Sequence, residues 1–129
     1  MLNKQKKLTK KQEEDLDFEI SFFENLLKQN PDYIEAMSPL AENYTKKGFF
    51  EQGLALDLKL TKLTPQDPIA HYNLACSYSL LNEIDLSLYN LEKAIKLGYN
   101  DFHFLKTDPD LENIRKDKRY LKLINSFGK

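Results

Sequence analysis

Two histidines, one cysteine and a few carboxylate clusters are the residues of this 129-residue chain whose types could do chemistry. His71 and His103 are far from the three- or four-residue spacing by which one helix offers two imidazoles to a metal. Each reads as a packing or surface histidine. Cys76 would be a nucleophile only beside a base, and His71, five residues earlier, is more than a turn away and off its helix face. A small thiol in a core or groove lining is the simpler reading. Glu13-Glu14-Asp15 falls in the opening turns of a helix, where negative charge suits the dipole. Asp108 and Asp110 read as helix-start residues, and the four scattered glycines build no phosphate loop. The expectation is a chain with no catalytic residue, no metal site and no cofactor: not an enzyme.

The lysines are the remaining chemical feature. Lys4, Lys6, Lys7, Lys10 and Lys11 crowd the first eleven residues; without them 14 basic residues face 20 acidic ones, a balance of −6 on the body. Such a start could touch phosphate, but the acidic body opposes it, so residues 1–11 are expected to be a solvated, disordered tail and nucleic acid is a disfavoured partner. The start also lacks the apolar stretch of a signal peptide, and no segment is long and apolar enough for a membrane span. With one cysteine no internal disulfide can form, and the inferred setting is cytoplasmic.

The elements that would position these groups repeat. Pro31 and Pro65 are 34 residues apart, and another 34 reach Tyr99 in a turn-like Gly-Tyr-Asn. In that frame Leu40-Ala41 aligns with Leu74-Ala75, Tyr44 with Tyr78, Leu54 with Leu88 and Leu63 with Leu97. Each period splits into two helices. Asp32 with Glu35 predicts a capping box, and Asp67-Pro68 a second helix start. Gly48 and Asn82 take the same place in the two periods, where a left-handed residue turns one helix back on the next. The spacing predicts helices near 33–47, 50–63, 68–81 and 84–97, with Pro39 bending the first. A lone helix over about 10–29, begun by a Thr9/Gln12 cap, precedes them. Short helices at 101–105, from Asp108-Pro109, and at 117–127 follow and would close the apolar ends.

These residues carry a resemblance. The period and the stretch YNLACSYSLLNEIDLSLYNLEKAIKLGYN (72–100) are similar to the tetratricopeptide repeat family, whose positions are met by Leu74, Ala75, Tyr78, Ser87, Leu91 and Ala94. The earlier period matches at Leu40, Ala41, Tyr44, Gly48, Leu60 and Pro65, but has Asp57 where an aromatic is usual and Pro39 inside its first helix. The segment DPDLENIRKDKRYLKLI (108–124) resembles an extension that follows such repeats in bacterial proteins. The resemblance implies an all-α fold: antiparallel helix-turn-helix repeats stacked as a short right-handed superhelical solenoid. The expected layout is a single helical domain over 12–129, with a partial repeat at 12–30, full repeats at 34–67 and 68–101, and capping helices at 102–129.

The family's geometry places a groove on the first helices, lined by Glu35, Ser38, Glu42, Thr45 and Lys46 and by Ile69, Tyr72, Cys76, Ser79 and Leu80. Two carboxylates at one end and an apolar row at the other would suit a basic side chain beside an apolar anchor. The alternative is that the final helix, 117–127, folds back and fills this face. The clamp by which some members grip chaperone tails is not expected: Asn73 fits one of its positions, but Ser38 and Glu42 stand where a basic residue and another asparagine are needed. The resulting expectation is an adaptor, monomeric or homodimeric, that binds a peptide or helix of another protein. The alternatives are a structural subunit assembling through the ends of the stack, and a nucleic-acid accessory protein acting through the lysines.

Overall fold

The computed structural model describes residues 7–127. Among them are eight α-helices, one 3-10 turn and no strand: an all-α chain. It divides into two compact units, Met1–Leu63 and Thr64–Lys129, where one domain over 12–129 was expected. The division falls in the turn before Asp67-Pro68, within the last residues of the first full repeat read from sequence, 34–67.

The first unit has three helices, α1 (Lys10–Gln29), α2 (Ile34–Lys47) and α3 (Phe50–Leu63), with α1 against α2 and α2 against α3. Thr9 accepts from the Gln12 amide at 3.1 Å while Gln12 accepts from the Thr9 amide at 2.9 Å, the reciprocal box expected at the start of α1. That helix takes in Lys10 and Lys11, so these two of the five lysines are helical and not part of a disordered tail. Lys7 lies just ahead of it and is exposed; Lys4 and Lys6 are outside the described residues. Leu16 is buried, and Ile20, Phe23 and Leu27 on the same face are half-buried. Lys47 ties α2 to α1, donating to Glu13 at 2.6 Å and pairing with Asp17 at 2.8 Å. These two carboxylates raise its pKa, the Asp17 contact most.

The Asp32/Glu35 box does not form. Tyr33 is the N-cap of α2 and makes no side-chain cap, while Asp32 pairs with Lys59 at 3.4 Å, drawn there by a cation whose ammonium also donates to the Pro31 carbonyl. Pro39 does not end α2, which runs on to Lys47; it lacks the amide that would donate to Glu35, and its ring crowds that carbonyl.

The second unit begins with α4 (Pro68–Leu80) and α5 (Ile84–Lys96), packed as a hairpin. Asp67 caps α4 by accepting from the Ile69 amide at 3.0 Å. The two hairpins share hydrogen bonds at a 34-residue offset. Phe49 donates to the Tyr44 carbonyl and Glu83 to that of Tyr78, both at 2.8 Å; Gly48 donates to Thr45 at 3.0 Å and Asn82 to Ser79 at 2.9 Å. Gly48 (φ 85°) and Asn82 (φ 63°) are both left-handed, as the turn requires. Close approach is likewise repeated. Ser87 is fully buried and donates to the Ala75 carbonyl at 2.7 Å, and Gly53, its counterpart, leaves room for a Cβ only 3.4 Å from the Ala41 carbonyl.

After α5 the period breaks. Helix α6 (Phe102–Thr107) stops after six residues because Pro109 disfavours a helical residue before it, and Asp108 is extended (φ −63°, ψ 117°). The chain continues as a 3-10 turn (Pro109–Leu111), α7 (Glu112–Arg115) and α8 (Lys118–Phe127). Leu105, Leu111, Ile114, Tyr120 and Ile124 from this stretch join Tyr72, Ala75, Leu88, Leu91, Ala94 and Tyr99 in one core.

Candidate binding face

Helix periodicity puts Glu35, Ser38, Glu42, Thr45 and Lys46 on one stripe of α2. Glu35, Ser38, Glu42 and Lys46 are exposed and Thr45 is half-buried. Glu42 and Lys46 approach within 4.0 Å, a surface pair of small energetic weight. The stripe is open and polar. On the opposite side of α2, Leu40 and Tyr44 join Leu27 of α1 and Leu56 of α3 in a shallow groove of about 480 Å³ rimmed by Glu24 and Lys28. Tyr44 donates to Glu24 at 2.5 Å; partial burial first, and then that carboxylate, raise its pKa.

The equivalent stripe of α4 is different. Ile69 is half exposed and Leu80 half-buried, but Tyr72, Cys76 and Ser79 are buried, so these three line the unit's interior and not a groove. Their cover is the 3-10 turn and α7, which pack on α4, and not the final helix expected as the alternative occupant; α8 packs on α5 and α7.

One carboxylate organises this cover. Asp108, 5% exposed, accepts from the Tyr72 hydroxyl at 2.6 Å, from the Asp110 amide at 3.0 Å, and from the Cys76 thiol at 3.7 Å. Tyr72 also stacks on Tyr99, rings nearly parallel with centroids 4.2 Å apart. Burial above all, then Cys76 and Asp108, push the Tyr72 phenol far above its ordinary pKa, so it stays a proton donor. Arg115 secures the same segment from its other side, donating to the carbonyls of Asp108 at 2.7 Å and Leu105 at 3.1 Å. Asn113 reaches α4 directly and donates to the Ser79 carbonyl at 2.8 Å.

Asp108 is therefore the helix-start residue its sequence suggested and also the partner of two supposed groove residues. Sequence reasoning missed the second role. The available signal was that Tyr72, Cys76 and Leu80 stand where the other period has Ser38, Glu42 and Lys46, so that only one stripe asks to be covered. His71 is buried with Nε2 2.9 Å from the Pro65 carbonyl, while His103 is exposed on α6. Among the described residues no three His, Cys, Asp or Glu side chains stand together as a metal site would need, and no helix is long and apolar enough to cross a membrane.

No family model matches the chain. It is 37% identical over 109 residues to a chloroplastic protein of Arabidopsis thaliana, an alignment covering 81% of this chain and 32% of that protein. The chain thus spans about a third of this relative's length. That relative is chloroplastic, which overturns the cytoplasmic setting inferred above. A single cysteine excludes an internal disulfide but does not tell one thiol-tolerant compartment from another. The bacterial association of the terminal segment gains no support from this comparison, since the similar protein is a plant's.

Proposed function

We propose that this chain is a tetratricopeptide-type module with no reaction of its own, which binds a segment of another protein along the outward stripe of α2. The repeat reading is supported by the hydrogen bonds and left-handed turns recurring at 34 residues. The choice of stripe rests on one observation: Glu35, Ser38, Glu42 and Lys46 are open to solvent, whereas the matching stripe of α4 is closed by the chain's own residues 108–115. The ligand that suits the open stripe is an extended or helical segment with a basic side chain facing Glu35 and Glu42.

The test is capture from a plastid extract by the full chain, by Glu35→Lys/Glu42→Lys, and by a chain lacking residues 2–7, with bound proteins identified by mass spectrometry. The expected result is a partner lost with the double charge reversal and kept by the truncated chain. Association should also slow as salt rises in the parent, because the carboxylates steer a basic segment. A partner retained by the reversal but lost on truncation would place function in the lysines. A concentration-dependent dimer that the reversal leaves intact, with no partner captured, would favour the structural-subunit reading.

A further inference from the structure

Helix α1 has a second face that the packing of its unit does not use. Opposite Leu16, Ile20, Phe23 and Leu27, the positions 11, 15, 18, 22, 25 and 29 form a seam with alternating spacings of four and three, held by Lys11, Asp15, Phe18, Phe22, Asn25 and Gln29. Only the middle pair is apolar, and it is open to water: Phe18 is 72% and Phe22 51% exposed. The Phe22 ring packs edge-on against Phe23 with centroids 5.3 Å apart. Around the pair stand Glu14, Asp15 and Glu19, all exposed. Asp15 pairs with Lys11 at 3.5 Å, while Glu14 and Glu19 meet no cation among the described residues.

We propose that this face, centred on Phe18 and Phe22, docks a basic amphipathic helix of another protein. The seam's polar ends rule out a partner lying along its whole length, which would bury Lys11, Asp15, Asn25 and Gln29. A helix crossing at the common angle of about 50° touches only the middle turns. There it needs apolar residues three or four apart against the two rings and lysines or arginines toward Glu14, Asp15 and Glu19. Charge argues against a second copy of the chain, because self-pairing would bring two sets of carboxylates together. An anionic bilayer is disfavoured by the same charges.

The test measures fluorescence anisotropy of three labelled synthetic peptides with the full chain: a Leu/Lys amphipathic helix, its Leu/Glu counterpart, and a Leu/Lys scramble with no apolar face. The expected result is that the first binds about tenfold or more tighter than the other two. Phe18→Ser/Phe22→Ser should remove that difference with the helical circular dichroism unchanged. Glu14→Lys/Glu19→Lys should weaken binding and flatten its salt dependence, while Glu42→Lys on α2 should leave it unaltered, which separates this face from the stripe proposed above. Equal binding of the scramble, or indifference to the serine variants, would overturn the proposal. So would a dimer in sedimentation, or binding to anionic vesicles, that the serine variants abolish.

Discussion

Residues 38 and 72 occupy the same place in two consecutive periods, yet one is an exposed serine and the other a buried tyrosine. The whole stripe follows suit: Glu42 against Cys76, Lys46 against Leu80. Backbone does not explain the difference, since the two hairpins share their turn geometry and hydrogen bonds. The cause is side-chain chemistry together with what comes next in the chain. The α4 stripe is apolar and is followed, after a proline-enforced break at Asp108-Pro109, by a segment whose carboxylate meets Tyr72. The α2 stripe is polar and loses little by staying in water. A repeat frame thus predicts which side chains share a face. It does not predict whether the face is a groove or an interior.

The sharpest way to break this comparison is to truncate both members of the pair. Tyr72→Ala removes a buried ring from the stack on Tyr99 and leaves Asp108 without its hydroxyl donor, so unfolding should become easier by about 3 to 5 kcal/mol. Ser38→Ala should stay within about 0.5 kcal/mol of the parent, as exposed changes do. Denaturant titrations of the two variants decide it. Equal, small effects would mean that Tyr72 is an accessible groove residue, as its frame position alone implied.

Asp108 offers a finer version. Asp108→Ala leaves the Tyr72 hydroxyl buried without an acceptor, a loss of about 1 to 3 kcal/mol, and should loosen residues 108–115 from α4. Hydrogen exchange at Leu111, whose amide donates to the Asp108 carbonyl at 3.1 Å, reads this out. Asp108→Asn keeps an acceptor for Tyr72 and should recover part of the loss. If both variants exchange like the parent, the cover is held without the Asp108 carboxylate, by Leu111 and Ile114 packing and by the Asn113 and Arg115 hydrogen bonds.

What the sequence made legible and what it hid divide along the same line. Local signals carried the elements: Thr9/Gln12, Asp67-Pro68, Gly48 and Asn82 each satisfy or redirect a helix end within a few residues. Small residues likewise marked the close contact of α4 with α5, where Ser87 meets Ala75. Asp32 failed as a cap because Lys59, 27 residues on, competes for its carboxylate. The α4 half of the candidate groove failed for the same kind of reason. Tyr72 finds its partner 36 residues later, and no spacing rule within a helix contains that information.

The pair Gly53 and Ser87 tests whether the two hairpins are interchangeable where they pack most closely. A Cβ at Gly53 would stand 3.3 Å from the Thr45 hydroxyl oxygen and 3.4 Å from the Ala41 carbonyl. That is tight, but the first neighbour is a side chain that can turn. Gly53→Ser should therefore gain up to about 1 kcal/mol from the lower chain entropy of a non-glycine helix residue, helped by a hydroxyl positioned like that of Ser87. Thermal melting that instead falls by several degrees would show that α2 and α3 approach too closely for the swap.

The smallest effect expected concerns two of the aspartates that precede helices in this fold, Asp32 and Asp117. Asp32 caps nothing, whereas Asp117 accepts from the Arg119 amide at 2.9 Å and holds its guanidinium at 2.9 and 3.0 Å, while the same guanidinium reaches Asp85 of α5 at 2.9 Å. The Arg119 side chain and amide together lower the Asp117 pKa from 3.8 to about 2. Because the folded value lies below the unfolded one, the stabilising contribution is complete above pH 3.8, shrinks as the pH falls below it, and is gone once the pH passes about 2. Carboxyl carbon chemical shifts followed from neutral pH downward should thus show Asp117 titrating well below the ordinary aspartate value, with the amide of Arg119 losing protection only then. Asp117→Asn should remove this acid-range dependence and fray the start of α8, while Asp32→Asn leaves that helix unchanged. If Asp117 titrates at its ordinary value, the guanidinium contact is a passing surface pair, and α8 is held on α5 and α7 by its buried Tyr120 and Ile124 alone.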